Sequence, residues 1–134
     1  MSASPALLRE APLLEGRRVL VVEDEYFLAD DIARAFRSVG AEIAGPVGHL
    51  DDALRLLDDG RVLDGAVLDV NIRSEMIFPI ARELRARSVP ILFTTGYDRA
   101  TVGAEFQDVP LWEKPIDVSA MVRGLAKLIQ DRQT

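Results

Sequence analysis

The sequence predicts an α/β fold in which helices cover both faces of a parallel five-stranded sheet. Short apolar runs bounded by turn residues alternate along the chain with segments whose apolar residues recur at helical spacing. Runs such as VLVV and GAVL are continuously apolar, which is typical of strands buried on both faces and therefore of parallel sheets. With 134 residues, 49% of them hydrophobic, the chain is long enough for one domain with a substantial core.

Five apolar segments are predicted to be strands. Each is five to seven residues long and is followed by a polar or turn residue. The second is the weakest, because Gly45 and Pro46 shorten it. In chain order the predicted strands are Arg17–Glu23, Ala41–Val47, Asp64–Val70, Val89–Thr95 and Val109–Glu113.

Five further segments are predicted to be helices. The first has an apolar face and is followed by Gly40, a residue common just past helix ends. Pro79 either shifts the start of the third helix or kinks it. The fourth is the weakest, since Thr101, Val102 and Gly103 are poor helix formers, and the fifth starts at the N-cap candidate Asp117. In chain order the predicted helices are Tyr26–Val39, Leu50–Asp59, Glu75–Arg87, Asp98–Phe106 and Asp117–Gln130.

The alternation of strands and helices implies right-handed crossovers and a three-layer sandwich. We adopt the strand order 2-1-3-4-5 from known flavodoxin-like folds of this size, which makes the prediction a flavodoxin-like (βα)5 sandwich. That order places strands one and three side by side. Residues 1–16 are expected to form a flexible N-terminal tail, and residues 17–131 to form the single folded domain.

Composition excludes several classes of function. There is no cysteine and only one histidine, which excludes disulfides, thiolate metal sites and His-rich metal sites. The net charge of −6 and a pI near 4.8 argue against nucleic-acid binding. No apolar stretch is long enough for a membrane span, and the N-terminus lacks the pattern of a secretory signal. We therefore expect a cytoplasmic protein with no nucleic-acid or membrane partner.

Polar residues lie at or just past the carboxyl ends of four of the predicted strands. They are Glu23-Asp24, Asp69, Thr95 and Lys114. Ligands of open parallel sheets bind beyond the carboxyl ends of the strands, so these side chains are expected to converge on one pocket. Crowded carboxylates repel each other unless a cation compensates them, and Mg²⁺ prefers a few carboxylate oxygens together with water and phosphate oxygens. The pattern predicts a pocket for Mg²⁺ and a phosphoryl group.

Each of these residues also has a purely structural explanation. An acid such as Glu25 is favoured at the start of the first helix, and we prefer that explanation for Glu25. Thr94 is expected to face away from the pocket. Asp69 is either a phosphoryl acceptor or a helix cap, and the presence of Asp24 and Lys114 favours the acceptor. The Lys114–Pro115 bond is a candidate cis peptide that would fix the direction of the lysine.

Taken together, the four strand ends resemble the receiver domain of two-component response regulators, over roughly Arg17 to Gln130. The resemblance implies that Asp69 is the phosphoacceptor and that Thr95 and Lys114 contact the phosphoryl group. It also implies that Mg²⁺ is the cofactor. The implied metal site consists of Asp24, Asp69, the backbone carbonyl of Asn71, and Glu23 acting through a bound water.

A narrower resemblance lies in Pro90–Tyr97. The segment PILFTTGY is similar to the P-F-x-F-A-T-G-[GY] signature of the FAT-GUY response regulators of alphaproteobacteria, from which Ile91 and Thr94 depart. FAT-GUY members are often single-domain and are linked to histidine kinases of the HWE/HisKA2 type. Leu111 stands where the general family has an aromatic switch residue, so we hypothesise that Tyr97 takes over part of that role.

The expected function is that of a single-domain response regulator. It would take a phosphoryl group from a sensor histidine kinase or a phosphotransfer protein in a self-catalysed transfer, and would signal by a conformational change in Thr95–Phe106. It would not be an enzyme in its own right, and would be a monomer or a weak homodimer. Two alternatives remain: a degenerate receiver that only binds a partner, and a small Mg²⁺-dependent aspartyl-phosphate phosphatase. The second is disfavoured because Asn71 stands where such a phosphatase usually carries an acid.

Overall fold

Seven strands and four α-helices follow one another in the computed structural model, which describes residues 12–96 and 102–132. The strands are β1 (Arg18–Val22), β2 (Glu42–Val47), β3 (Gly65–Asp69), β4 (Asn71–Ile72), β5 (Glu75–Met76), β6 (Ile91–Thr95) and β7 (Leu111–Glu113). The helices are α1 (Tyr26–Ser38), α2 (Leu50–Leu57), α3 (Phe78–Ala86) and α4 (Val118–Arg132), with one 3₁₀ turn at Ala104–Phe106. None of the helices in these described ranges is long and apolar enough to cross a bilayer.

Five of the strands form one parallel sheet in the order β2-β1-β3-β6-β7. Strands β6 and β7 are the fourth and fifth predicted strands, so the predicted flavodoxin-like order 2-1-3-4-5 is confirmed. Every residue of β1, β3 and β6 is buried, because helices cover both faces of these central strands. This burial accounts for the continuous apolar runs in the sequence.

Two apolar cores lie on opposite faces of the sheet. One packs α2, α3 and the 3₁₀ turn against the sheet, and the other packs α1 and α4 against it. The large residues of the first core include Leu20, Leu68, Ile80, Leu84, Phe93 and Phe106. Those of the second include Val21, Ile32, Phe36, Leu92, Met121 and Ile129. The three-layer sandwich fixes the strand ends, and hence the site, from both sides.

The third helix begins later than predicted. Arg73 and Ser74 adopt left-handed backbone conformations, with φ of 49° and 70°, and turn the chain so that β4 pairs with β5. Glu75, the predicted first residue of the helix, therefore lies in a strand. Pro79 lies in the first turn of α3, where its missing N–H costs nothing, and its ring would clash with the carbonyl of Glu75 if the helix began there. The proline sets the start of the helix.

The fourth predicted helix, Asp98–Phe106, lies partly in residues 97–101, outside the described part of the chain. From Val102 onward the chain forms a 3₁₀ turn in place of the predicted α-helix, and Gly103, with a φ of 81°, precedes it. Two arginines of α3 hold this turn. Arg82 binds Glu105 through two hydrogen bonds of 2.8 Å, and Arg85 binds the Asp108 carboxylate and lies 4.8 Å from the centre of the Phe106 ring.

The folded part of the chain begins before Arg17. Leu14, which we predicted to belong to the flexible tail, is buried in the second core, and its N–H donates to the carbonyl of Val39 at 2.8 Å. An apolar side chain at this position gains more from burial than the tail loses in freedom. The tail prediction is therefore wrong for residues 12–16, while residues 1–11 lie outside the described ranges. The second strand also continues through Gly45 and Pro46, which are joined by a cis peptide bond.

Candidate functional site

The sheet brings the predicted acids together at one edge. Val22 of β1 pairs in register with Leu68 of β3, so the residues that follow them, Glu23 and Asp69, lie side by side. Asp69 pairs in turn with Thr94 of β6. Glu23 and Asp69 are 46 positions apart in the chain (69 − 23), and they become neighbours because parallel strands end at the same edge of the sheet.

Three carboxylates form the centre of the site. Glu23, Asp24 and Asp69 each offer an oxygen atom, and these oxygens all lie within 4.8 Å of one another. Glu23 and Asp69 are only 3% and 4% exposed, whereas Asp24 is partly exposed. Three negative groups this close, two of them buried, repel each other strongly unless positive charge compensates them.

One ammonium group supplies part of that compensation. The Nζ atom of Lys114, just past the end of β7, lies 2.9 Å from Asp69 Oδ2, 3.2 Å from Glu23 Oε2 and 2.5 Å from Glu25 Oε1. Burial by itself would lower the pKa of Lys114, but its hydrogen bonds with Glu25 and Asp69 outweigh that effect and raise the pKa. The lysine is therefore charged throughout the physiological pH range.

The single ammonium does not fully balance the acids. The pKa of Glu23 is raised to about 8, chiefly by burial and also by the neighbouring Asp69 carboxylate, which together outweigh the lowering effects of the Glu25 N–H and of Lys114. The site therefore retains a proton at neutral pH. Replacing that proton by a divalent cation suits both the charge and the ligands, since hard cations prefer carboxylate oxygens. The residues present fit a divalent cation.

An open cavity of about 500 Å³ gives access to these groups. Its walls are formed by residues of the strand ends and of the β4–β5 hairpin, namely Asp24, Glu25, Asp69, Asn71, Arg73, Ser74, Gly96 and Lys114. The cavity is large enough for a phosphoryl group and a hydrated cation, and it has both carboxylate and ammonium groups on its walls. It is suited to binding an anion and a cation together.

Two further predicted site residues lie at or just after strand ends, and of these only Asn71 lines the cavity. Thr95 is fully buried at the end of β6, and its main-chain carbonyl accepts a hydrogen bond of 2.9 Å from the main-chain N–H of Lys114. Asn71 lines the cavity, and its N–H donates to Asp69 Oδ1 at 3.1 Å. The Lys114–Pro115 peptide bond is cis.

The whole fold is similar to solved structures of known proteins. It is similar to a response regulator receiver protein from Sinorhizobium medicae WSM419, with a TM-score of 0.77 and 24% identity, covering 89% of this chain and 98% of that one. It is also similar to SdrG from Sphingomonas melonis Fr1, with a TM-score of 0.73 and 33% identity, covering 84% of this chain and 96% of that one. The chain belongs to the response regulator receiver family.

A third structure similar to this receiver domain holds ligands. It is a response regulator protein from Burkholderia pseudomallei with a phosphorylated aspartic acid, a calcium ion and citrate. Its TM-score is 0.69 and its identity 23%, covering 88% of this chain and 73% of that one. No protein-family model and no curated protein matches the sequence, so the assignment to the receiver family depends on the solved structures.

Three contacts of the receiver site were missed from the sequence. Glu25, which we predicted to be only a favourable acid at a helix start, binds Lys114. Thr94, predicted to face away, is buried and its hydroxyl lies 3.5 Å from Glu23 Oε1. The N–H of Arg73 donates to Asp24 Oδ2 at 2.9 Å. The position of Glu25 directly after Glu23 and Asp24 could have indicated that it belongs to the site. The contact of Arg73 with Asp24 depends on the β4–β5 hairpin, which the sequence pattern does not reveal.

Of the two predicted switch positions, Leu111 and Tyr97, the structure describes only Leu111. Leu111 is partly buried in β7 and packs against the core that contains Phe93 and Phe106. Tyr97 lies outside the described residues of the receiver domain. The switch role of both residues stays a prediction.

Proposed function

We propose that this receiver domain accepts a phosphoryl group on Asp69 from a phosphohistidine of a sensor histidine kinase or of a phosphotransfer protein, with Mg²⁺ bound. The observation that supports this most is the convergence of the Glu23, Asp24 and Asp69 carboxylates with the Lys114 ammonium at one open cavity. The phosphorylated aspartic acid and calcium ion of the similar protein from Burkholderia pseudomallei are in keeping with this chemistry.

The proposed reaction is a direct phosphoryl transfer to Asp69. A carboxylate oxygen of Asp69 attacks the phosphorus atom, the new O–P bond forms as the P–N bond of the donor breaks, and the histidine nitrogen leaves with the electron pair. Catalysis of this type consists mainly of positioning and charge stabilisation. The hydrogen bond from the Asn71 N–H orients the Asp69 carboxylate before the transfer.

The proposed Mg²⁺ ligands are Asp24, Asp69 and the backbone carbonyl of Asn71, with Glu23 acting through a bound water. When bound, the cation neutralises negative charge on the transferring oxygens. In the metal-free protein, Lys114 balances part of the negative charge of this acidic cluster.

After the transfer, the Thr95 hydroxyl and the Lys114 ammonium would bind the phosphoryl oxygens. The phosphoryl group adds a charge of about −1.5 to −2. This charge would shift the equilibrium of the segment between Thr95 and Phe106, with Tyr97 and Leu111 as switch residues. The protein would thus act as a regulatory switch that promotes its own phosphorylation and dephosphorylation, and not as an enzyme for other substrates.

We further propose that the protein is a single-domain response regulator of the FAT-GUY type with a kinase partner of the HWE/HisKA2 type. The similarity of Pro90–Tyr97 to the FAT-GUY signature supports this subtype. The proposed receiver unit extends to residue 131, and we expect a monomer or a weak homodimer.

Asp69→Asn is expected to abolish phosphorylation. Incubation of the protein with Mg²⁺ and acetyl phosphate should add the mass of one phosphoryl group, because acetyl phosphate can replace the phosphohistidine donor. The variant should add none, since an amide is not a nucleophile for this transfer. Intact-mass spectrometry measures both results. The control is Asp64→Asn, which lies just before β3, at the other end of the strand from Asp69, and should still gain the phosphoryl mass.

The same experiment tests the two alternatives. A degenerate receiver would show no mass gain in the parent protein. An aspartyl-phosphate phosphatase would release inorganic phosphate from many phosphate esters at a steady rate. Either result would replace the proposed function.

The affinity for Mg²⁺ is expected to rise with pH up to about 8. The raised pKa of Glu23 means that this residue is mostly protonated at pH 7 in the metal-free protein, and the cation binds the deprotonated form. Below the pKa the apparent affinity should change by up to about tenfold per pH unit, and above it the affinity should level off. Calorimetry in two buffers of different ionisation enthalpy at pH 7 should also detect proton release. Affinity that is independent of pH between about 6 and 8 would show that Glu23 is already ionised.

A further inference from the structure

Lys114 has no N–H donor left for a new ligand. An ammonium group has three N–H donors, and Nζ of Lys114 contacts three different carboxylates, those of Glu23, Glu25 and Asp69, at 3.2, 2.5 and 2.9 Å. A phosphoryl group on Asp69 needs a donor from the same ammonium. One of the three carboxylates must therefore give up its contact when the phosphoryl group arrives.

The three carboxylates differ in how easily they can be released. The side chain of Glu23 is 1% exposed, so release of the lysine would leave a buried carboxyl group that solvent cannot hydrate. Asp69 is the residue that carries the phosphoryl group, so the comparison is between the two unmodified carboxylates, Glu23 and Glu25. The side chain of Glu25 is 59% exposed and can be hydrated by solvent as soon as it leaves the lysine. Of the two carboxylates that stay unmodified, Glu25 is therefore the one whose release costs less.

We infer that Glu25 is a competing ligand for Lys114, which occupies one of its three N–H donors and releases it when a phosphoryl group binds. This inference depends on the proposed function. It assigns Glu25 the role of a positioning residue, because it acts through Lys114 and not on the reacting atoms. Its own charge adds a repulsion toward an incoming anion at the same cavity, which it lines.

The local structure makes Glu25 suitable for substitution. Its side chain makes no capping hydrogen bond to α1, and its main-chain contacts, the N–H to Glu23 Oε2 and the carbonyl to the Ala29 N–H, do not depend on the side chain. Glu25→Gln removes the charge, and Glu25→Asp keeps the charge but is one methylene too short for the contact. Glu113→Gln is a matched control, because Glu113 precedes Lys114 and is exposed, and these two described residues form no ion pair with each other.

The test is a titration with beryllofluoride, a phosphoryl mimic, at saturating Mg²⁺, followed by the fluorescence of Trp112, the only tryptophan. Glu25→Gln is expected to bind beryllofluoride about three- to tenfold more tightly than the parent. Glu25→Asp should also gain affinity, and Glu113→Gln should match the parent. In the metal-free protein, the Lys114 ammonium protons should exchange with water faster in Glu25→Gln than in the parent, as measured by ¹⁵N NMR.

Unchanged or weaker binding by Glu25→Gln would overturn the inference. A gain in Glu25→Gln without any gain in Glu25→Asp would also overturn it, since charge rather than the contact would then be responsible. If the parent protein itself does not bind beryllofluoride, the proposed function fails together with the inference. A parent that binds normally beside variants that bind equally well contradicts the role of Glu25 alone.

Discussion

Phe93→Ala is expected to lower the free energy of unfolding by about 3–5 kcal/mol. Phe93 is completely buried in β6, between β3 and β7, and its ring centre lies 6.0 Å from that of Phe78 and 5.6 Å from that of Phe106. Truncation removes these contacts and leaves a cavity beneath the strand that ends in Thr94 and Thr95. The rigid sheet on one side and α3 on the other limit how far the structure can close that cavity.

Urea denaturation followed by circular dichroism measures this loss. Phe27→Ala is the matched control, since Phe27 is 81% exposed on α1 and should change the stability by less than about 0.5 kcal/mol. Hydrogen exchange in residues 102–108 should also become faster in Phe93→Ala, because Phe106 loses a packing partner. Equal losses in the two variants would contradict the assignment of Phe93 to the core.

Lys114→Met is expected to destabilise the metal-free protein by about 2–3 kcal/mol and at the same time to tighten Mg²⁺ binding. The substitution leaves the buried carboxylates of Glu23 and Asp69 without the ammonium that now contacts both. We expect a loss below that of a fully buried pair, because the cavity is open to water. Mg²⁺ binds more tightly since it no longer competes with a positive charge at the same carboxylates.

The loss in Lys114→Met should depend on pH in a defined direction. Removing the ammonium raises the pKa of the Glu23 carboxyl further above its value in the unfolded chain, so the ionised form becomes costlier in the folded protein. The destabilisation should therefore be smaller near pH 6, where Glu23 holds its proton, than near pH 9. Denaturant titrations in EDTA measure it. Lys127→Met, which removes an exposed lysine paired with Asp131, is the control with no measurable change expected. A metal-free Lys114→Met protein as stable as the parent would contradict the charge balance described for the site.

The sheet and the main groups of the site were predictable from the sequence because they depend on strands. The runs before Glu23, Asp69 and Thr95 are buried on both faces, which gives them an unambiguous apolar signal. Once the strand order is fixed, parallel pairing brings the ends of the strands to one edge of the sheet. The position of Asp69 beside Glu23 follows from that geometry without any knowledge of the loops.

The sequence-based predictions were wrong where the structure depends on loop conformation or on the direction of a side chain. The β4–β5 hairpin arises from the left-handed conformations of Arg73 and Ser74, two residues with no strong preference for such turns, so the sequence pattern did not reveal it. Only Pro79 indicated that helix three could start late. The direction of Thr94 depends on the pleat at the very end of β6. The contact between Glu25 and Lys114 joins residues 89 positions apart through a freely rotating side chain.

The boundary of the fold was missed for a related reason. Leu14 precedes the first strand in a segment with no periodic pattern, and its burial depends on a pocket formed by residues far along the chain. Its hydrogen bond to Val39 likewise requires α1 to be in place. Such tertiary docking of a single side chain has no signature in local sequence.

A crystal structure of the protein with Mg²⁺ and beryllofluoride tests the central claim most directly. We predict that beryllium is bonded to a carboxylate oxygen of Asp69, that the Lys114 ammonium and the Thr95 hydroxyl contact the fluorines, and that Mg²⁺ is bound to Asp24 and Asp69. Beryllofluoride absent from Asp69 at saturating concentration, or Mg²⁺ bound away from these carboxylates, would contradict it.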